Sequence, residues 1–212
     1  MMELRTLIMF TLYFATGSAA IPVQIMLEET GANYQAKRLS FADNEQRAPE
    51  YLAINPKGRV PALVTPDGVI TEVPALLLYL AQSYPQWQLA PTEPLALARA
   101  QEFNSYLSST VHVAHAHNLR GARWSDDPEA HVSMQAKVAE NMAECARVIE
   151  THYFNGPWVL GEQYSMCDPY LYWISRLMEM DGVPVDDFEK IHHHKMRMLK
   201  RPAVVNVIAL HE

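Results

Sequence analysis

The stretch Asn55-Pro56-Lys57-Gly58-Arg59-Val60-Pro61-Ala62-Leu63-Val64-Thr65-Pro66-Asp67-Gly68-Val69-Ile70-Thr71-Glu72-Val73-Pro74-Ala75-Leu76-Leu77-Leu78-Tyr79-Leu80 decides the fold. Two short apolar pieces, Ala62 to Thr65 and Val69 to Thr71, flank Pro66-Asp67-Gly68. The proline presets φ, the aspartate bonds its own backbone and the glycine accepts positive φ, so the segment predicts a β-hairpin. Directly after it, Leu76, Leu77, Tyr79 and Leu80 recur at helical spacing between Glu72 and Ser83. Pro74 falls in the first turn of that helix, where its missing N–H is tolerated. A hairpin followed at once by a helix that packs back onto it completes a small α/β sheet.

Upstream, Thr6 to Phe14 is apolar, β-branched and aromatic, in the manner of a central strand covered on both faces. The small-residue turn Ala15-Thr16-Gly17-Ser18 follows, then a helix from Ala19 to Glu29 that stops at Gly31. Tyr34 to Phe41 alternates as a second strand, and Asp43 to Tyr51 reads as an irregular helix. Arg5, the run Leu7 to Phe14 and the small residues Gly17 to Ala20 also have the order of a secretory leader. The continuation of Ile21 to Leu27 as an apolar helix favours the strand, because a βα unit needs both parts.

Downstream of Tyr84 the composition changes. Pro85, Pro91 and Pro94 punctuate a polar stretch, and no strand-like segment follows. The boundary is expected near residue 85, giving an α/β domain at 1–84 and an all-helical domain at 85–212. Within the latter, Leu95 to Leu119 and Glu129 to Phe154 read as long helices, and Met166 to Met180, Asp187 to Leu199 and Ala203 to Leu210 as shorter ones.

Seventeen Lys and Arg against twenty-four Asp and Glu leave a formal charge of -7, which offers no electrostatic footprint for a nucleic acid. Cys145 and Cys167 form no C-x-x-C, so neither a disulfide framework nor a cysteine zinc site is indicated, and a reducing cytoplasm fits. No run of eighteen apolar residues suggests a membrane span. The tract His192-His193-His194 resembles a metal site only in composition, since consecutive helical residues point in different directions; it reads as a solvated helix surface.

Three ordered segments resemble the cytosolic glutathione transferase family. Asn55 to Leu63 is similar to the segment leading into that family's third strand, where the proline matching Pro61 is cis and the residue matching Val60 pairs its backbone with the cysteinyl part of glutathione. Thr71 to Leu80 resembles the segment that holds the γ-glutamyl end, with Glu72 as the acidic residue and Val73 where the family uses Ser or Thr. Gly161 to Leu171 resembles the capping box of the helical domain. Its mechanics also follow from the residues: Ser165 accepts from the amide three positions on, and Asp168 reaches back to the Ser165 amide. The resemblance implies a thioredoxin-like α/β N-terminal domain followed by an all-helical one, a homodimer, and glutathione as co-substrate without a metal.

Such an enzyme holds the glutathione sulfur as thiolate. From a model thiol pKa of about 8.5, that requires roughly 2.7 kcal/mol. One hydroxyl hydrogen bond to the anion supplies about 1.5–3 kcal/mol and a helix N-terminus about 0.3–1 kcal/mol. The chain most resembles bacterial, beta-class-like members whose first helix begins with a cysteine, but Ala19 stands at the matching position, so disulfide exchange there is ruled out. The candidates are Ser18, Thr16 and, at the strand end, Tyr13, with helix capping the plainer role for the two hydroxyls and core packing for the tyrosine. Arg59 and Lys57 are candidates for the glycyl carboxylate, with ordinary surface cations as the plainer reading. His112 and His115 share a helix face and are candidates for the pocket of a small electrophile, His112 by the resemblance. The resemblance leaves open a non-catalytic binding or partner protein, and a glutathione-dependent isomerase or peroxidase.

Overall fold

The structure is a computed structural model and describes residues 9–211. The chain divides into two compact units, one running to Ala90 and rejoined from Lys200 onward, the other Pro91–Leu199.

The first unit is thioredoxin-like. β1 (Phe10–Phe14), α1 (Ile21–Thr30), β2 (Tyr34–Arg38), the short α2 (Pro49–Leu52), β3 (Ala62–Thr65), β4 (Gly68–Thr71) and α3 (Val73–Ser83) follow in order. The described strands form one sheet in the order β2-β1-β3-β4, with β1 parallel to β2 and the other pairs antiparallel. The expected first strand began at Thr6; residues 6–8 lie outside the described residues. The hairpin turn is tighter than expected, because Gly68 pairs with Thr65 and leaves only Pro66-Asp67 between the strands.

β1 is covered unequally. Phe10, Leu12 and Phe14 are buried, while Thr11 and Tyr13 on the other face are half-buried, which corrects the expectation of two fully covered faces. Phe10 packs edge-on against Tyr79 of α3, whereas Tyr13 meets Tyr51 of α2. α3 buries Leu76, Leu77 and Leu80 completely. α1 ends at Gly31 in the left-handed region (φ 65°), with the Trp87 indole donating to the Thr30 carbonyl at 3.2 Å.

The last helix, α9 (Pro202–His211), belongs to this unit and packs on α1, although the expected division put residues 200–212 with the helical domain. Helical periodicity says that such a segment is a helix and not which core it joins. Arg201, just ahead of α9, settles this with a two-pronged ion pair to Glu29 (2.5 and 2.9 Å), and Val204 and Val207 are fully buried.

The second unit is helical: α4 (Pro94–Tyr106), α5 (His112–Leu119), α6 (Pro128–His152), α7 (Asp168–Met180) and α8 (Glu189–Met198). The expected helix Leu95–Leu119 is interrupted at Leu107–Val111 by a wider, π-type turn, where Ser108 and Ser109 hydroxyls both bond back to the Ser105 carbonyl. Among the described residues no helix is long and apolar enough to cross a membrane.

Candidate functional site

Strand register brings the expected segments to one end of the sheet. Tyr13 stands opposite Ala62, and Ala62 opposite Thr71, so a single rung closes β1, β3 and β4. Beyond that rung β1 leaves into Ala15–Ser18, β3 is entered through Val60–Pro61, and β4 leaves through Glu72 into α3. The N-termini of α1 and α3 therefore open at the same edge, where their first-turn amides lack intrahelical acceptors. Neither start carries a side-chain cap.

The turn after β1 is closed by the Ser18 amide on the Ala15 carbonyl (3.1 Å), with Gly17 at φ 67°, where a side chain would be strained. Half-buried Ser18 accepts at Oγ from the amides of Ala15 and Ala20, both at 3.3 Å. Both contacts use the oxygen as acceptor, which leaves the hydroxyl proton to point elsewhere. Thr16 is exposed. Tyr13 is half-buried with its ring 5.4 Å from Tyr51 and the Lys37 ammonium 5.6 Å above it, which is a packed position.

The loop into β3 is built on Asn55. Its buried side chain donates to the Arg59 carbonyl (2.6 Å) and accepts from the Lys57 amide (3.2 Å), while the Tyr51 hydroxyl donates to the same Arg59 carbonyl (2.6 Å). Gly58 sits at φ 58° so close to Arg47 and the Gln46 carbonyl that a β-carbon would collide with them. The Val60–Pro61 peptide bond is cis. Arg59 itself projects into solvent.

Glu72, a non-glycine at φ 72°, ψ 121°, makes the corner from β4 into α3. That geometry is sparsely populated and costs of order 1–3 kcal/mol, so it persists only where neighbours enforce it. The Lys57 ammonium is one such neighbour, bonded to Glu72 Oε1 (2.5 Å) and Thr71 Oγ1 (2.7 Å). Val73 turns its side chain into the core, leaving only backbone groups to face a ligand there.

Residues 9–82 match the family model of the glutathione S-transferase N-terminal domain. A glutathione transferase homologue from Sulfitobacter, solved with bound glutathione, has the same fold at a TM-score of 0.92 and is 44% identical, over 95% of this chain and 98% of that one. The chain belongs to the glutathione transferase family. Its curated relatives include the glutathione S-transferase GstA of Escherichia coli O157:H7, 25% identical over 202 residues (93% of this chain, 96% of that protein). A maleylacetoacetate isomerase of Pseudomonas aeruginosa is 27% identical over 188 residues, 86% of each chain.

The helical unit of this glutathione transferase homologue holds the histidines singled out from sequence. Half-buried His112 stands edge-on to Trp173 with centroids 4.9 Å apart. His115 is engaged: its Nδ1 lies 2.7 Å from the buried carboxylate of Asp181, which also accepts from Asn118 (2.8 Å). The reading of His192-His193-His194 as a solvated surface fails at His194, which is fully buried, with Nε2 3.0 Å from Asp168 Oδ1 and its ring between Phe154 and Trp158. Consecutive helical positions do point apart, and one of the three therefore points inward.

That histidine completes the capping box. Asp168 accepts from the Ser165 amide (2.7 Å), the Ser165 hydroxyl (3.0 Å) and the Val159 amide (3.0 Å). Asp168 thus reaches back as expected, but Ser165 Oγ accepts from the amide of Cys167 two positions on (3.3 Å), and the Asp168 amide takes the Ser165 carbonyl instead. The fully buried Cys167 thiol is pushed well up by burial beside Asp168 and contacts the Ala100 carbonyl, so it is not a nucleophile.

One residue of the first unit carried no local signal in the sequence. His211, on α9, receives the Gly17 amide at Nδ1 (3.1 Å), and so touches the turn that carries Ser18.

Proposed function

We propose that this chain is a glutathione transferase in which the Ser18 hydroxyl donates to the glutathione sulfur and holds it as thiolate for attack on a small electrophile. The observation that carries this reading is the Ser18 oxygen receiving two backbone amides while its proton remains to be donated. Thr16 and Tyr13 are the alternatives at the same strand end. Backbone groups at Val60–Pro61 pair with the cysteinyl part, and the N-terminus of α3 at Glu72 and Val73 takes the γ-glutamyl carboxylate. Arg59 is an exposed cation within reach of the same loop for the glycyl carboxylate. The Sulfitobacter homologue with bound glutathione supports the co-substrate.

His112 and His115 are proposed for the electrophile pocket, His115 with its orientation set by Asp181. The free cysteines suit a reducing cytoplasm. The protein acts as a homodimer, with 1–84 as the glutathione-binding part and the helices of Pro91–Leu199 binding the second substrate. A glutathione-dependent isomerase is the second reading, supported by the likeness to the Pseudomonas enzyme.

Calorimetric titration with glutathione tests the first step. Saturable binding accompanied by thiolate absorbance supports the proposal, whereas no heat at millimolar glutathione overturns it. Isomerisation of maleylacetoacetate, with no conjugation of electrophiles, would transfer the assignment to the isomerase.

A further inference from the structure

The Gly17–His211 contact is one end of a directional chain inside the first unit. Beyond His211, Nε2 lies 2.9 Å from Gln24 Oε1, the Gln24 amide nitrogen lies 3.2 Å from the Tyr34 hydroxyl, and that hydroxyl lies 2.6 Å from Glu28 Oε1. Glu28 can only accept, so Tyr34 donates to it and must take its second bond from the Gln24 NH2. Burial, reinforced by the Glu28 contact, pushes the Tyr34 phenol well above its ordinary range, which keeps that proton in place. Gln24 then turns its carbonyl oxygen to His211, which must donate from Nε2. A bare Nδ1 is what the Gly17 N–H requires at the other end. Together the two ends assign the neutral tautomer with its proton on Nε2.

Everything around this imidazole holds it still. His211 and Gln24 are buried, the His211 ring lies 5.0 Å from Phe14 at the end of β1, and the Arg201–Glu29 pair anchors the start of the same helix. Gly17 takes the left-handed region at φ 67°, where a residue with a side chain would be strained. The Gly17 N–H belongs to the Thr16–Gly17 peptide, so a fixed acceptor there limits the rotation of that plane, one residue before Ser18.

We propose that His211 is a positioning residue, which through the Gly17 amide sets the direction of the Ser18 hydroxyl toward the glutathione sulfur. This rests on the thiolate reading above. Asparagine at 211 keeps an acceptor where Nδ1 stands, and glutamine keeps a donor where Nε2 stands. The two variants therefore retain opposite halves of the contact.

Two measurements decide it. In wild-type protein without glutathione, 15N spectra should show an unprotonated Nδ1 on His211 and a through-hydrogen-bond coupling between it and the Gly17 nitrogen. A protonated Nδ1, or no coupling, overturns the proposal whatever glutathione does. With glutathione bound, His211→Gln should lower the thiolate fraction at neutral pH by at least about threefold, while His211→Asn leaves it near the wild-type level. Equal losses in both, tracking a common loss of melting temperature, would make His211 merely structural and overturn it. Absence of any thiolate in the wild type would overturn the reading of Ser18 and, with it, the role of His211 toward sulfur. The coupling would still establish the hold on the turn.

Discussion

The ammonium of Lys57 spans from the loop that enters β3 to the carboxylate of Glu72 at 2.5 Å, fastening the approach to Val60–Pro61 to the corner that opens α3. Both side chains are about half exposed, 46% and 66%, so solvent screens the pair. Lys57→Met should cost less than about 1 kcal/mol in urea unfolding. A larger loss would mean that this contact carries the corner alone.

Glu72→Gly separates strain from ligand binding. Glycine relieves the positive φ at the cost of a more flexible unfolded chain and of the Lys57 pair, so stability should stay within about 1 kcal/mol of wild type or rise. Glutathione affinity should fall. Clear destabilisation in the urea midpoint would show that the corner is not strained.

Ser18→Ala should reduce the thiolate fraction of bound glutathione at neutral pH, because the anion loses a charge-assisted hydrogen bond while the neutral thiol loses much less. Activity should recover partly as pH rises, and affinity should change less than turnover. Exposed Thr16 provides the control. If ultraviolet titration moves only in Thr16→Ala, the role passes to Thr16.

Asp168→Ala removes the acceptor for two amides, a hydroxyl and the His194 imidazole in a fully buried position. It should cost about 3–5 kcal/mol. Ser165→Ala, with one cap lost, should cost about 0.5–2 kcal/mol. Turnover per folded molecule should be unchanged in both. Lost turnover with unchanged melting would overturn this structural assignment.

Light scattering at micromolar concentration should give twice the chain mass. A monomer would count against the proposed homodimer, for which the structure leaves Leu78 and Tyr79 of α3 half-exposed beside three wholly buried leucines.

The sequence alone determined the βα opening, a hairpin turn within Pro66-Asp67-Gly68, a helix close after Thr71, the reach of Asp168 back to the Ser165 amide and the presence of Ser18 in a turn. Each depends on periodicity or turn chemistry acting over a few residues, and those forces are written locally. Only the tertiary structure decided that the segments carrying Ser18, Pro61 and Glu72 open from the same end of the sheet, beyond the Tyr13–Ala62–Thr71 rung, because strand register depends on the whole packed core. It alone buried His194, since helical spacing leaves the inward direction open. It also carried His211 across 194 positions to Gly17, a contact set by how α9 packs on α1, for which no pattern around residue 211 provides a sign.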